Sequence, residues 1–160
     1  QGADGNTGKD FNGAWMRSIE AQIIEGGVGD FILVAGFEAD GTRLRPTLEA
    51  RASQDRDGEW CYDPKGEARD FASGRLNWYG RDADWKDALG FRGREDVESP
   101  YGQWTRMEIV AQGDRVTVTV NGTVVNEATR SSLTEGKILI QSEGAEIYFR
   151  RIDLEPLAGS

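Results

Sequence analysis

The sequence predicts an all-β fold, an antiparallel β-sandwich, on three observations. Its 21 glycines are spread along the chain and separate short runs rich in Val, Ile, Phe, Trp and Thr. Several runs alternate with period two, most cleanly at Val116, Val118 and Val120, which gives a strand one apolar face for the core. Asn121 followed by Gly122 is a strong short hairpin signal, since both residues tolerate the positive φ of a type I′ turn.

Taken in order, residues 1–13 read as a loop, rich in Gly, Asp and Asn. A first strand starts near Ser18, and Gly26, Gly27 and Gly29 turn it into a second over residues 30–37. A third is expected over 43–52. The polar stretch 53–71, with Trp60, Cys61 and Tyr62 inside it, reads as irregular, and 74–80 as a strand. Residues 81–103 form a long charged loop carrying Trp85, Phe91 and Tyr101; loops of that length are functional or ordered by packing. Strands follow over 104–111, 115–120 and 123–126, then over 137–142 and 146–154. In the last, Ile147 and Phe149 have one parity and Ile152 and Leu154 the other, so a bulge is expected at Arg150 and Arg151. No repeat or low-complexity segment interrupts this pattern, and residues 1–160 read as one domain.

Composition narrows the function. A chain of 160 residues can bury a core without disulfide or metal staples. With 28 acidic against 19 basic residues the net charge is -9, a field that repels phosphate backbones, so nucleic acid is not an expected partner. No apolar run is long enough to insert into a membrane. The absence of His removes the commonest general base, the usual zinc ligand and the Ser-His-Asp triad. The single Cys61 excludes an internal disulfide and has no His to activate it. No cofactor is expected, although an oxygen-ligand calcium site stays open.

Residues 18–25, Ser-Ile-Glu-Ala-Gln-Ile-Ile-Glu, are the most informative stretch. Ile19, Ala21 and Ile23 alternate with Ser18, Glu20 and Gln22. Strict alternation sends Glu25 to the opposite face from Glu20, whereas a bulge at Ile23 and Ile24 puts Glu20, Gln22 and Glu25 on one surface. Two carboxylates with an amide between them on a rigid strand can move protons beside a sugar oxygen. The alternative is a half-exposed strand whose polar face is merely solvated.

The segment 18–31 resembles the 3-keto-disaccharide hydrolase family. The likeness continues in order through Asp84-Trp85-Lys86-Asp87, Gly90-Phe91-Arg92-Gly93 and Asp96-Val97-Glu98. It goes on through Gly102-Gln103-Trp104, Val120-Asn121-Gly122 and Val125-Asn126-Glu127-Ala128. It closes on Gly136-Lys137-Ile138 and Gln141-Ser142-Glu143-Gly144-Ala145-Glu146-Ile147, covering most of 14–157. The resemblance implies a concanavalin A-like jelly roll with a carbohydrate-binding concave face. It further implies a hydrolase acting on a glycoside whose C3 is a ketone, from bacterial relatives that act outside the cytoplasm, so a periplasmic or secreted location is expected. Family members carry several strands before the part matching Gly2. Their lack here makes the chain a fragment or divergent relative by expectation, or leaves sheet edges to be covered in a homodimer or by a partner chain.

A looser likeness links Glu20-x-Gln22-x-x-Glu25 to the Glu-x-Asp-x-x-Glu strand of jelly-roll β-glucanases, whose nucleophile and acid/base sit about 5 Å apart. Gln22 in place of the central acid fits an elimination better than a glucanase mechanism. A 3-keto group acidifies the proton at C2, so a base and an acid suffice. Glu20 is then the base, Gln22 the orienting amide and Glu25 the acid. Substrate contacts are expected from Asp30, Arg51, Trp60, Tyr62, Trp78, Trp85 and Gln141, with Tyr79 and Glu143 as further candidates. Arg51 is expected to pair with a carboxylate of the triplet, and aromatic faces suit pyranose C–H surfaces. Each aromatic also reads as core or loop packing. A non-catalytic carbohydrate-binding module and a β-sandwich without ligand are the competing readings.

Overall fold

The computed structural model of this chain describes residues 16–37, 40–142 and 144–157; the expected loop at 1–13 and Glu143 lie outside these. Among the described residues every regular element is a strand, all paired antiparallel, and there is no helix. Strands β1 (Ser18–Ala21), β2 (Phe31–Val34) and β8 (Gly74–Leu76) form one sheet in the order β1-β2-β8. A second sheet has β5 (Leu48–Gln54) between β6 (Trp60–Tyr62) and β7 (Glu67–Phe71). In the third, β10 (Arg115–Val120) lies between β9 (Met107–Gln112) and β11 (Thr123–Ala128). Short β3 (Gly36–Phe37) and β4 (Arg43–Leu44) pair with each other.

Period-two patterning decides what each sheet buries. Phe31, Leu33 and Leu76 of the first sheet, Leu48, Ala50, Ala52 and Phe71 of the second, and Val118, Val120, Val125 and Ala128 of the third meet in one cluster. Val116, half-buried, packs against it, so all three valines of β10 turn toward the core. Bridges between Glu49 and Thr129 and between Cys61 and Asn77 tie the sheets at their margins. Asn126 has no exposure, and its side-chain amide donates to the carbonyls of Gly29 and Leu76, each at 3.2 Å. That amide staples β11 to the first sheet.

Local chemistry explains the boundaries. The hairpin at Asn121 and Gly122 forms as the sequence requires, with φ of 47° and 86°, and Val120 faces Thr123 across it. Pro46 donates no backbone hydrogen bond, and the strand expected over 43–52 is split on either side of it into β4 and β5. The stretch 53–71, expected to be irregular, supplies β6 and β7. Asp55 turns the chain there by accepting the amides of Asp57 and Glu59, both at 2.9 Å.

The two C-terminal strands expected over 137–142 and 146–154 do not form, and neither does the bulge at Arg150 and Arg151. Ile138, Leu139, Ile140, Ile152 and Leu154 are all exposed. A strand's amides and carbonyls need a neighbouring strand, and among the described residues this segment has none, so its apolar alternation is not enough.

Phe31, with no exposure, is central to the cluster that joins the three sheets. Phe31→Ala is expected to lower stability by about 3–5 kcal/mol, read as a shift of the denaturant midpoint at unchanged slope.

Candidate active site

One face of the first sheet collects the chemistry. The register sets Glu20 opposite Ile32 and Ile32 opposite Arg75, so these three side chains stand in a row across β1, β2 and β8. The ladder runs on past β1: the Gln22 amide donates to the Asp30 carbonyl at 2.9 Å, and the Gly29 amide to the Gln22 carbonyl at 2.8 Å. Gly29 and Asp30 therefore both oppose Gln22, with Gly29 at φ 97°, which is a glycine bulge. The expected bulge is thus on the facing strand, not at Ile23 and Ile24. Glu20 and Gln22 share their face with Asp30 and Arg75 and are half-buried.

Glu25 is elsewhere. After Gln22 the chain turns, the Gly27 amide donating to the Ile24 carbonyl at 2.8 Å, and Glu25 occupies that turn. Its carboxylate accepts the Gly90 amide at 2.8 Å, and its carbonyl accepts the Trp85 indole N–H at 2.9 Å. The condition for placing Glu25 beside Glu20 on one strand face is not met, because alternation was broken by a turn instead of a bulge.

Asp30 is the electrostatic centre. It has no exposure; its carboxylate accepts the Trp78 amide at 2.7 Å and pairs with Arg81, whose side chain is also buried, while Arg75 stands 3.8 Å away. Burial pushes the Asp30 carboxyl above its ordinary value, while Arg81, the Trp78 amide and Arg75 pull it down. Burial likewise lowers Arg81, and Asp30 opposes that. The Arg81 guanidinium lies 3.7 Å from the centre of the Trp85 ring, and that of Arg75 5.9 Å from it.

Loop 81–103 is held onto this sheet end. Glu98 accepts the Gly26 amide at 2.7 Å; burial and then Asp96 raise its carboxyl above the usual range, with Glu25 adding a smaller push. Trp78 donates its indole N–H to the Gly26 carbonyl at 2.9 Å. Gly26 sits at φ 72°, and a Cβ there would come within 3.0 Å of the Trp85 ring, so only glycine fits beneath the loop.

The other expected contact residues are dispersed. Trp78 and Tyr62 are buried and offer no open ring face. Trp60 packs edge-on against Phe71 and carries Arg69 at 4.2 Å on its face. Arg51, on the sheet β6-β5-β7, donates to the Gly66 carbonyl at 2.8 Å instead of meeting a carboxylate of the triplet. Gln141 lies on the exposed C-terminal segment, and Tyr79 is half exposed beyond β8. Residue type alone makes each a candidate, and strand register and burial separate them. Arg75, Arg81 and Glu98 are not among the expected site residues; the sequence puts Arg75 on a strand, but that this strand pairs with β2 is seen only in the structure.

A family model described as 3-keto-alpha-glucoside-1,2-lyase-like domain matches residues 3–155, nearly the whole chain. No curated protein and no solved structure matches it.

Removing Arg81 leaves Asp30 buried without its main counter-charge. Arg81→Met is expected to cost about 3–5 kcal/mol near neutral pH. The loss should shrink on acidification: burial raises the folded-state pKa of Asp30, more so with only Arg75 and the Trp78 amide left to oppose it, which favours the folded form where the carboxyl is protonated, and that advantage disappears as pH rises through it. Chemical denaturation of both proteins from pH 4 to pH 8 measures this. Cys61 is buried and burial pushes its thiol up to about 11, so alkylation at pH 8 should be slow until denaturant unfolds the protein, as mass spectrometry would record.

Proposed function

The chain belongs to the family of 3-keto-alpha-glucoside-1,2-lyase-like domains, and on that premise we propose that it cleaves 3-keto-glycosides by elimination on the face that carries Glu20 and Gln22. The register supports this reading: the Glu20 carboxylate on β1 and the Gln22 amide just past its end share a face with a guanidinium two strands away. Glu20 takes the C2 proton, and the C–H electron pair becomes the enolate of C2, C3 and the keto oxygen. As the ketone re-forms, the pair moves into a C1–C2 double bond and the C1–O bond breaks. The departing oxygen takes a proton from water, and the hydroxide so formed recovers the proton held by Glu20. Addition of water to the unsaturated sugar completes a net hydrolysis. Gln22 orients Glu20 or a substrate hydroxyl, and Glu25 holds the loop through Gly90 instead of serving as the acid.

A binding module asks for open aromatic faces, and of the expected ones only Tyr79, half exposed beyond β8, stays open. Trp78 and Tyr62 are buried, and Trp60 and Trp85 are covered by Arg69 and Arg81. The polar, charged character of the Glu20 face favours proton transfer over stacking.

Product analysis with a panel of 3-keto-glycosides beside the unoxidised sugars tests the reading. Only the oxidised sugars should be cleaved, and Glu20→Gln should lower turnover by roughly 10²–10⁴ with folding intact. Gln22→Ala should cost less, since it alters positioning alone. Unchanged activity in Glu20→Gln on every substrate would place the chemistry elsewhere; wild-type binding without cleavage would make the domain a binding module.

A further inference from the structure

We propose that Arg75 is a second catalytic residue of this reaction, its guanidinium receiving the keto oxygen as negative charge develops there; this rests on the elimination reading above. Arg75 stands in the same cross-strand row as Glu20, with only the half-buried Ile32 between them. Two strand spacings of about 4.8 Å each separate their backbones. That gap suits one sugar ring lying on Ile32, its C2 hydrogen toward Glu20 and its keto oxygen toward Arg75.

The charges support the assignment. Asp30 is engaged by Arg81, which is buried, and by the Trp78 amide at 2.7 Å. Arg75, at 3.8 Å, is the more distant cation, and its side chain is 33% exposed against 5% for Arg81. With one buried carboxylate between two guanidiniums, one positive charge is left over, and it is on the accessible side chain. Asp30 at 3.8 Å and the Trp85 ring, 5.9 Å from the Arg75 guanidinium, hold that group, so it need not reorganise when the enolate forms. Arg81 is the positioning residue that takes up the Asp30 charge.

The bond changes balance without a further reagent. Glu20 gains the C2 proton, the C–H pair becomes enolate charge on the keto oxygen beside Arg75, and collapse of that enolate expels the leaving oxygen. The same half-reaction, stopped before expulsion, exchanges the C2 hydrogen with solvent.

The test measures C2 hydrogen exchange in D2O by NMR, together with aglycone release, on a 3-keto-glucoside for wild type, Arg75→Ala and Arg75→Lys. Arg75→Ala should lose roughly 10²–10³ in both rates. Millimolar guanidinium should restore part of the loss, and Arg75→Lys should fall between the two. Rescue by a free cation is a result that a merely structural role does not give. Should Arg75→Ala fail to fold, as judged by circular dichroism, Arg75→Lys carries the test: its charge lacks the planar fork, so a rate equal to wild type overturns the proposal. A wild type that exchanges and cleaves while Arg75→Ala does both equally fast, or is slowed beyond rescue by guanidinium, overturns the role of Arg75 alone. A wild type that neither exchanges nor cleaves overturns the elimination reading, and this proposal with it.

Discussion

Asp30 is a carboxylate with no exposure, and the arrangement around it depends on how its charge is met. Burial of an isolated carboxylate costs several kcal/mol, so the chain must bring cations and amides to it. Arg81 pairs with it, Trp78 donates its amide at 2.7 Å, and Arg75 stands at 3.8 Å. These groups come from β8 and from the residues that follow it toward the long loop. Satisfying one charge therefore fixes the path of the chain from β8 into that loop, and holds the Arg75 guanidinium in the cross-strand row of Glu20.

The Gly26 turn is the second half of the same construction. Its amide and carbonyl are bonded to Glu98 and Trp78, while Glu25 holds Trp85 and Gly90. Loop 81–103 carries no strand, yet these contacts seat it on the end of the first sheet, with Trp85 covering Arg81. The acidic side chains that look catalytic in sequence thus divide into two groups. Glu20 stands on a strand face with Gln22, whereas Glu25 and Glu98 accept backbone amides and order the loop. Half-burial and nearby Asp96 raise the Glu98 carboxyl, which is compatible with a structural acceptor and requires no chemical role.

The margins of the fold are less completely covered than its centre. Among the described residues β9 is an edge strand with Ile109 and Val110 exposed, and Ile138, Leu139, Ile140, Ile152 and Leu154 are exposed as well. Both have the composition of strands that expect a neighbour. The core formed by Phe31, Leu48, Leu76, Val118, Val120 and Val125 closes without them.

Period-two alternation at Val116, Val118 and Val120 and the pairing of Asn121 with Gly122 determined a hairpin and the buried face of its first strand, because these are local properties of backbone and side-chain geometry; the register shift at Val118 and Thr119 was not legible in them. Alternation over Ser18 to Gln22 likewise determined that Glu20 and Gln22 share a face. It did not determine which strand would carry the bulge. A strand can absorb one extra residue on either side of a pair, and glycine at φ 97° made Gly29 the cheaper place. The strands expected near the C-terminus failed for the same kind of reason, since their alternation is local but their hydrogen bonds need a distant partner. Only the tertiary structure decided that Trp78 is core, that Arg51 serves Gly66, and that Arg75 and Arg81 converge on Asp30. Residue type states what a side chain can do; the long-range pairing of β1, β2 and β8 decides which side chains meet, and that pairing is set by the burial of Phe31, Leu33 and Leu76 together with the neutralisation of one buried charge.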